Sequence, residues 1–354
     1  MTVVHFVVPQ GIDDPACPSG GNNYDRRVAG GLAAEGWSVH EHPVGGPWPA
    51  RDPSALAALD AVVERIPDGA AVLLDGLIAS AAPEVLVPQA RRLHLVVLVH
   101  MPLGHRPPDG DAGDVRQRER AVLSAAAAVV TTSAWSRRRL VDLYGLRAGR
   151  VRVAEPGVHA GELATGTATG ARLLCVAAVT FAKGHDLLLE ALASVKDLSW
   201  RCVCVGSLDR DPVFAAAIRR RSVESGLEQR VLFPGPRTGA DLDRCYAEAD
   251  LLVLPSRAET YGMVVTEALA CGLAVIAADV GGVGEALGHG AGRIRPGLLV
   301  APEDPAALAR ALRAWLSDAE LRTRLRRAAR ERRKSLPRWS TTTSEVAGVL
   351  EALQ

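Results

Sequence analysis

A chain of 354 residues and 37.3 kDa is long enough for two domains of ordinary size. With 48% hydrophobic and 23% charged residues it has globular composition, which excludes a disordered or low-complexity chain. A formal net charge of +1 and 4% aromatic residues argue against a nucleic-acid binder, which needs basic excess for phosphates and rings for stacking bases.

The opening residues, Met1 to Pro9, have neither a basic leader nor a small-residue cleavage site, and are expected to form a first β-strand rather than a signal peptide. Apolar, β-branched runs predict strands at Val3–Val8, Trp37–His40, Ala71–Leu74, Leu93–His100, Ala128–Thr131 and Val151–Ala154. Helical spacing fills Tyr24–Glu35, Ala55–Arg65, Val115–Ala126 and Ala134–Tyr144. The small, polar, unpatterned stretch Gly161–Gly170 reads as a linker. The alternation then restarts, with strands at Arg172–Ala178, Arg201–Gly206, Val231–Phe233, Leu251–Pro255, Ala274–Ala277 and Leu298–Val300. Helices are predicted at Gly184–Val195, Val213–Ser225, Gly239–Ala249, Gly262–Cys271, Pro305–Ser317 and Ala319–Lys334, and a last amphipathic pattern at Ser340–Leu353. Short strands separated by helices mean βαβ units and parallel sheets. The expectation is an α/β chain of two Rossmann-like doubly wound domains, 1–165 and 166–336, followed by a final helix in 337–354.

Apolar runs such as Ala125–Val130 fall far short of the roughly 20 residues needed to cross a bilayer. Residues 1–165 carry 16 Arg and 18 acidic residues, so this half is no basic membrane-docking surface; the Arg-rich run Arg322–Lys334 leaves peripheral lipid contact open but is expected to be a solvated helix face. The six cysteines, at 17, 175, 202, 204, 245 and 271, include no C-x-x-C pair. They read as small buried hydrophobes of a chain in a reducing cytoplasm, not as a zinc ribbon or redox dithiol. Nearly all basic residues are Arg; Lys183, Lys196 and Lys334 are the only lysines, which makes a lysine in a loop motif informative.

The segment Leu251–Glu285 concentrates the chemistry. It reads strand, loop, helix, turn, strand and Gly-rich loop. Loops at the carboxyl ends of parallel strands are where doubly wound folds bind ligands. The loop Ser256–Gly262 leads into a helix whose N-terminal N–H groups suit a phosphate, and Gly262 removes a side chain where a ligand would approach the backbone. Glu259 and Glu267 are spaced E-x7-E, the first at the loop's mouth and the second about one and a half turns into the helix. A carboxylate beside an anion site has a natural partner in a vicinal diol, which donates two hydrogen bonds to it. Each Glu alone would pass for a helix-capping or solvated acid. Lys183-Gly184 likewise stands at a strand-to-helix junction, where a cation reaches phosphates.

These residues resemble the retaining glycosyltransferases of the GT-B fold, family 4 (glycosyl transferases group 1), over nearly the whole chain. The matching positions are Pro255-Ser256, Glu259, Gly262, Glu267, Ala268, Ala270, Gly272, Gly281-Gly282 and Glu285. The resemblance implies two Rossmann-like domains facing each other across a cleft, the first binding the acceptor and the second the nucleotide sugar, with the last helix crossing back to the first. It implies that Glu259 and the backbone of Gly262 and Met263 hold the donor sugar and diphosphate, with Thr260, Tyr261 and Val264 in the same donor-binding stretch. It assigns the ribose diol to Glu267 and the diphosphate to Lys183-Gly184. It makes Gly20-Gly21, within Pro18–Asn23, the N-terminal glycine loop near the donor diphosphate, and His100 an active-site residue; alone, either would pass for a turn or a structural histidine. Glu259, His100 and Lys183 are the expected catalytic residues. Two places depart from the family: Ala178 stands where a second phosphate-binding Arg is usual, with Arg210 and Arg237 as candidate substitutes, and Glu155-Pro-Gly-Val-His159 replaces the more usual Pro-Asn-Gly-Val-Asp before the linker.

The implied reaction moves a hexose from a nucleotide diphosphate sugar to a small-molecule, lipid or saccharide acceptor hydroxyl, with retention and without a cofactor or metal. The acceptor loops would be Pro9–Ser19 and Met101–Asp114. Asp209-x-Asp211 is the metal signature of the other glycosyltransferase architecture, but two domains and E-x7-E argue against it. His100-x4-His105 lacks a partner set for a metal. Two alternatives share the two-domain fold: a sugar-nucleotide epimerase, and a non-catalytic sugar-nucleotide binder.

Overall fold

The computed structural model describes residues 2–16, 18–105, 112–290 and 293–353. The chain divides into two compact units. The first comprises the residues up to Asp14, Ser19–Gly157 and the chain from Pro337 onward; the second is built from Val158–Leu336, with Pro15, Ala16 and Pro18. The division at Gly157 comes earlier than residue 165. Gly161–Gly170 belongs to the second unit because its polar groups are tied down there. Thr167 Oγ1 donates to Asp250 Oδ2 at 2.6 Å, and Gly170 O accepts from Trp315 Nε1 at 2.8 Å.

The first unit holds a six-stranded parallel sheet of β1 (Val3–Pro9), β2 (Ser38–Val44), β3 (Ala71–Asp75), β4 (His94–Val99), β5 (Ala128–Thr131) and β6 (Val151–Val153). Its order is β2-β1-β3-β4-β5-β6, so the chain reverses direction across the sheet between β1 and β3. Both faces are covered, which is why β3 and β5 are buried at every residue and read as continuous apolar runs. Along β3, Val72 and Leu74 enter one core while Ala71 and Leu73 enter the other. The second core includes Val346, Ala347, Val349 and Leu350 of the last helix, Trp339–Glu351, packed with Phe6, Tyr24 and Leu32. Full burial of Val346 and Leu350 contributes about 1.5–3 kcal/mol each. Thr342 Oγ1 also donates to Glu155 O at 2.6 Å.

Several elements differ from expectation. The first helix spans Gly20–Ala34, starting before Tyr24, because Ser19 caps it by accepting from Asn22 N at 3.1 Å. The strand β2 runs on to Val44 through His40-Glu41-His42, since a sheet edge tolerates polar side chains. Short helices at Gly76–Ala81 and Pro83–Gln89 fall outside the expectation; neither is long enough to show a helical period.

The second unit repeats the plan with β7 (Arg172–Val176), β8 (Arg201–Val205), β9 (Val231–Gly235), β10 (Leu251–Leu254), β11 (Ala274–Ala278) and β12 (Gly297–Val300). The order β12-β11-β10-β7-β8-β9 puts the reversal between β7 and β10. Among the described residues, no helix is long and apolar enough to cross a membrane.

Candidate functional site

The loops leaving β7 and β10 flank the switch point of the second sheet, the usual ligand position in such folds. Each leads into a helix, His185–Ala193 and Met263–Ala270. Many helices of the chain are capped by a side-chain oxygen, as by Ser19, Asp52, Ser133, Asp211 and Asp304. These two instead begin at Gly184 and Gly262, both left-handed and without a side-chain cap. In His185–Ala193 the Asp186 carboxylate accepts from the N–H groups of Asp186 and Leu187, whereas the first turn of Met263–Ala270 holds no acid and meets no capping side chain, an arrangement suited to an anion.

Glycine also lets the loops close on one another. A Cβ at Gly184 would lie 2.2 Å from Pro255 O, and one at Gly281 would lie 1.5 Å from Glu259 O. Backbone thus packs on backbone, and Gly281-Gly282 serves to seat the loop that carries Glu259. Lys183 Nζ donates to Glu259 Oε1 at 2.7 Å, and Ser256 Oγ donates to the same oxygen at 2.8 Å. The Glu259 side chain is 11% exposed and that of Lys183 31%, so the pair sits at a mouth.

The remaining expected donor residues divide by what they can offer. Thr260 is half-buried, while the Tyr261 side chain lies in the core at 2% exposure and Met263 and Val264 pack against that core. Tyr261 thus offers backbone, not its side chain, to a ligand, whereas Met263 and Val264 are half-buried. Glu267 is half-buried and accepts from Tyr246 OH at 2.7 Å. Burial, with the Glu267 charge, drives the Tyr246 phenol well above its ordinary range.

The sequence alone does not single out Arg257. It donates to Phe181 O at 2.8 Å and grips Asp186 through both carboxylate oxygens at 2.8 and 2.7 Å, stapling the loop after β10 to the helix after β7. A lone Arg within a Ser-Arg-Ala loop carries no signal for such a fork. Ala178 is half-buried, and its neighbour Val179 donates its N–H to Ser207 O at 2.9 Å. The loop holding Arg210 therefore lies against the position of the departure. Arg210 and Arg237 are both exposed, following β8 and β9. Asp211 caps the helix Pro212–Glu224 by accepting from Phe214 N at 3.0 Å. His105 accepts from Arg139 Nε at 2.9 Å.

Beneath the Lys183 loop, Cys175, His185 and Cys204 converge, all buried, with Cys175 Sγ 3.8 Å from His185 Nε2. Spacing in the sequence does not show this grouping; it arises because β7 and β8 pair Cys175 with Cys204. Hydrogen bonding from Cys204, aided by the His185 and Lys183 charges, makes Cys175 the more acidic thiol. Cys202 and Cys271 are buried and Cys245 is half-buried; Cys17 lies outside the described residues.

In the first unit, Gly20 and Gly21 open the first helix instead of forming a loop before it, and a Cβ at Gly21 would stand 3.1 Å from the His100 ring. The chain does bring this pair and His100 together. His100 follows β4, and its Nε2 is 2.7 Å from Asp25 Oδ1 and 3.8 Å from Asp75 Oδ2. Burial disfavours the imidazolium, but the charge and hydrogen bond of Asp25, with the Asp75 charge, outweigh this and raise the His100 pKa. Burial and the Asp25 charge push Asp75 up to about 7. Sequence reasoning misses both carboxylates. The available signals are an acid on the buried stripe of the first helix (Asp25, Val28, Leu32) and an acid ending the apolar run Ala71–Leu74. Part of the expected acceptor loop Met101–Asp114 lies outside the described residues.

Comparison with known proteins accords with both halves. The family described as glycosyl transferases group 1 matches residues 167–332, and the glycosyl transferase 4-like domain matches residues 4–157. The D-inositol 3-phosphate glycosyltransferase 1 of Catenulispora acidiphila is 33% identical over 269 residues, 69% of this chain and 62% of that protein. The D-inositol 3-phosphate glycosyltransferase of Jonesia denitrificans is 31% identical over 265 residues, 68% and 61% of the two chains. The chain spans about three fifths of the length of these curated relatives. Among solved structures, the sucrose-phosphate synthase of Thermosynechococcus elongatus superposes with a TM-score of 0.81 at 22% identity, covering 100% of this chain and 99% of that one. The Anabaena protein HepE, in complex with UDP-glucose, gives 0.79 at 18% identity over 99% and 100% of the two chains. The chain belongs to the GT-B-fold glycosyltransferases of family 4, the glycosyl transferases group 1.

Proposed function

We propose that the chain is a retaining hexosyltransferase, moving a hexose from a nucleotide diphosphate sugar to an acceptor hydroxyl without a metal. The observation that carries this reading is the Lys183–Glu259 pair at 2.7 Å, beside two glycine-started helix N-termini at one switch point. In this reading the helix N-terminal N–H groups and Lys183 hold the diphosphate, Glu259 meets the sugar hydroxyls, and Glu267 takes the ribose diol. Residues 158–336 bind the donor and the first unit binds the acceptor, with Gly20, Gly21 and His100 as that unit's active-site residues.

The acceptor oxygen attacks the anomeric carbon on the face from which the phosphate leaves. The C–O bond to phosphate breaks as the new glycosidic bond forms, and the leaving phosphate oxygen takes the acceptor proton. Lys183 and the N–H groups stabilise the charge building on the diphosphate. Excluding water from the reacting centre limits donor hydrolysis.

The names of the similar proteins suggest the first substrates to try, UDP-glucose as donor and D-inositol 3-phosphate as acceptor. The test incubates the chain with UDP-, GDP- and ADP-sugars and an acceptor panel, and follows released nucleotide and the anomeric proton coupling of the product by NMR. Transfer with retained configuration is expected. An isomerised donor without transfer, or an inverted product, overturns the reading.

A further inference from the structure

Three titratable groups, two of them buried and one half-buried, meet at the switch point of the first sheet. Asp25 comes from the helix Gly20–Ala34 and is fully buried; Asp75 ends β3 and is 2% exposed; the His100 side chain, after β4, is 13% exposed. Each is held. Asp75 Oδ1 accepts from Leu77 N at 2.8 Å and Ile78 N at 3.3 Å, which fixes its carboxylate plane. The His100 ring lies between the backbone of Gly21 and the Tyr24 ring, 5.1 Å away and edge-on.

We propose that Asp25 and Asp75 are positioning residues that act through His100, Asp25 anchoring the ring and Asp75 setting its charge; this deepens the transferase reading above and rests on it. Burying two carboxylates beside an imidazole is costly, and apolar residues would fill a core better. The titratable groups facing the imidazole are Asp25 from the first helix, Asp75 from β3 and Tyr24, whose phenol is engaged with Ala154 O at 3.0 Å. One imidazolium and one carboxylate make a neutral pair. A second ionised carboxylate leaves an uncompensated buried charge, so Asp75 keeps its proton toward neutral pH and, once ionised, strengthens the hold on the imidazolium proton. The contact from Asp25 Oδ1 to Nε2 leaves Nδ1 as the ring nitrogen without a partner among the described residues.

The test follows the histidine resonances of the full-length, ¹³C-histidine-labelled chain by NMR across pH, with His100→Gln assigning the signal. Wild-type His100 is expected to titrate above the ordinary value of about 6.5. Its midpoint should fall by about one unit or more in Asp25→Asn and by a smaller step in Asp75→Asn. In steady-state kinetics, Asp25→Asn should lower kcat about tenfold or more with KM nearly unchanged, and the pH limb of kcat should move with the NMR midpoint in both variants. Should Asp25→Asn not fold, Asp75→Asn carries the test, since asparagine keeps the oxygen that accepts from Leu77. A His100 midpoint that does not move in a folded variant, or a kcat limb that stays while the midpoint moves, overturns the proposal. A wild-type chain that turns over no donor while its His100 midpoint responds to both substitutions sinks the transferase reading instead.

Discussion

Lys183 Nζ and Glu259 Oε1, 2.7 Å apart, tie the loop after β7 to the loop after β10 across the point where the second sheet reverses. Ser256 donates to the same carboxylate oxygen, and Gly281 admits the Glu259 carbonyl into the space a side chain would fill. The cation and the anion are therefore not independent. Removing either leaves the other a poorly solvated charge at the mouth of the site, and a single substitution reports on both.

Glu259→Gln and Glu267→Gln are expected to fail differently. Both keep size and lose charge. Glu267, assigned to the unchanging ribose, should raise KM with little effect on kcat. Glu259, assigned to the sugar beside the breaking bond, should lower kcat by about 100-fold. Steady-state kinetics on folded variants decide. A kcat loss in Glu267→Gln with wild-type behaviour in Glu259→Gln would reverse the roles.

Gly281→Ala should damage both stability and turnover. The position is left-handed, at φ +57°, and the new Cβ meets a carbonyl that cannot swing aside. Gly239 makes a matched control: it has φ +53°, but a Cβ there would find nothing within 4 Å. Strain alone should cost Gly239→Ala about 1 kcal/mol, whereas Gly281→Ala adds the clash and about 1–3 kcal/mol more. Urea denaturation measures the stability difference. Activity should fall about tenfold or more in Gly281→Ala alone, because the Glu259 loop must shift; equal effects at both positions would remove the seating role.

Much of this architecture is legible in the residues, because strands buried on both faces announce themselves as unbroken apolar runs. Ala71–Leu74 and Leu251–Leu254 are of this kind, and the donor loop stands out because strand, glycine, acid and helix follow within one short segment. What escapes a sequence reading is set by pairing across the fold. The edge strand β2 continues through polar residues that a periodicity reading rejects. The first helix begins where Ser19 caps it, although Gly20-Gly21 reads as a loop. Tyr261 sits among donor-loop residues in sequence, yet its ring is committed to the core. Asp25, Asp75 and His100 lie far apart in the chain and meet only because β3 and β4 are neighbours under the first helix.

Stability should fall with rising pH through Asp75. Its folded pKa, about 7, is raised from an ordinary 3.8, so between these values the folded chain holds a proton that the unfolded chain has released. The folded state is favoured most below that window and loses the advantage as pH rises through about 7, at up to about 1.4 kcal/mol per pH unit. His100, also raised, contributes with the same sign at higher pH. Asp75→Asn should therefore be more stable relative to wild type at pH 8 than at pH 5 by urea denaturation. An equal difference at the two pH values would place the proton elsewhere.

Turnover should persist in EDTA, since the proposed charge stabilisation comes from N–H groups and Lys183. Loss of activity restored by manganese would bring Asp209 and Asp211 back as ligands. In the same assay, Arg210→Ala should weaken donor binding more than Arg237→Ala, because the loop of Arg210 bonds to Val179 beside Ala178.

The central claim is that a nucleotide diphosphate binds between Lys183 and the two helix N-termini. Isothermal titration calorimetry of nucleoside diphosphates and of the matching nucleosides, into wild type and Lys183→Ala, tests it most directly. Losing a charge-assisted phosphate contact should cost about 1.5–3 kcal/mol, or roughly tenfold or more in diphosphate affinity, and leave nucleoside affinity nearly unchanged. Equal losses for diphosphate and nucleoside, or no diphosphate binding to the wild-type chain, would contradict it.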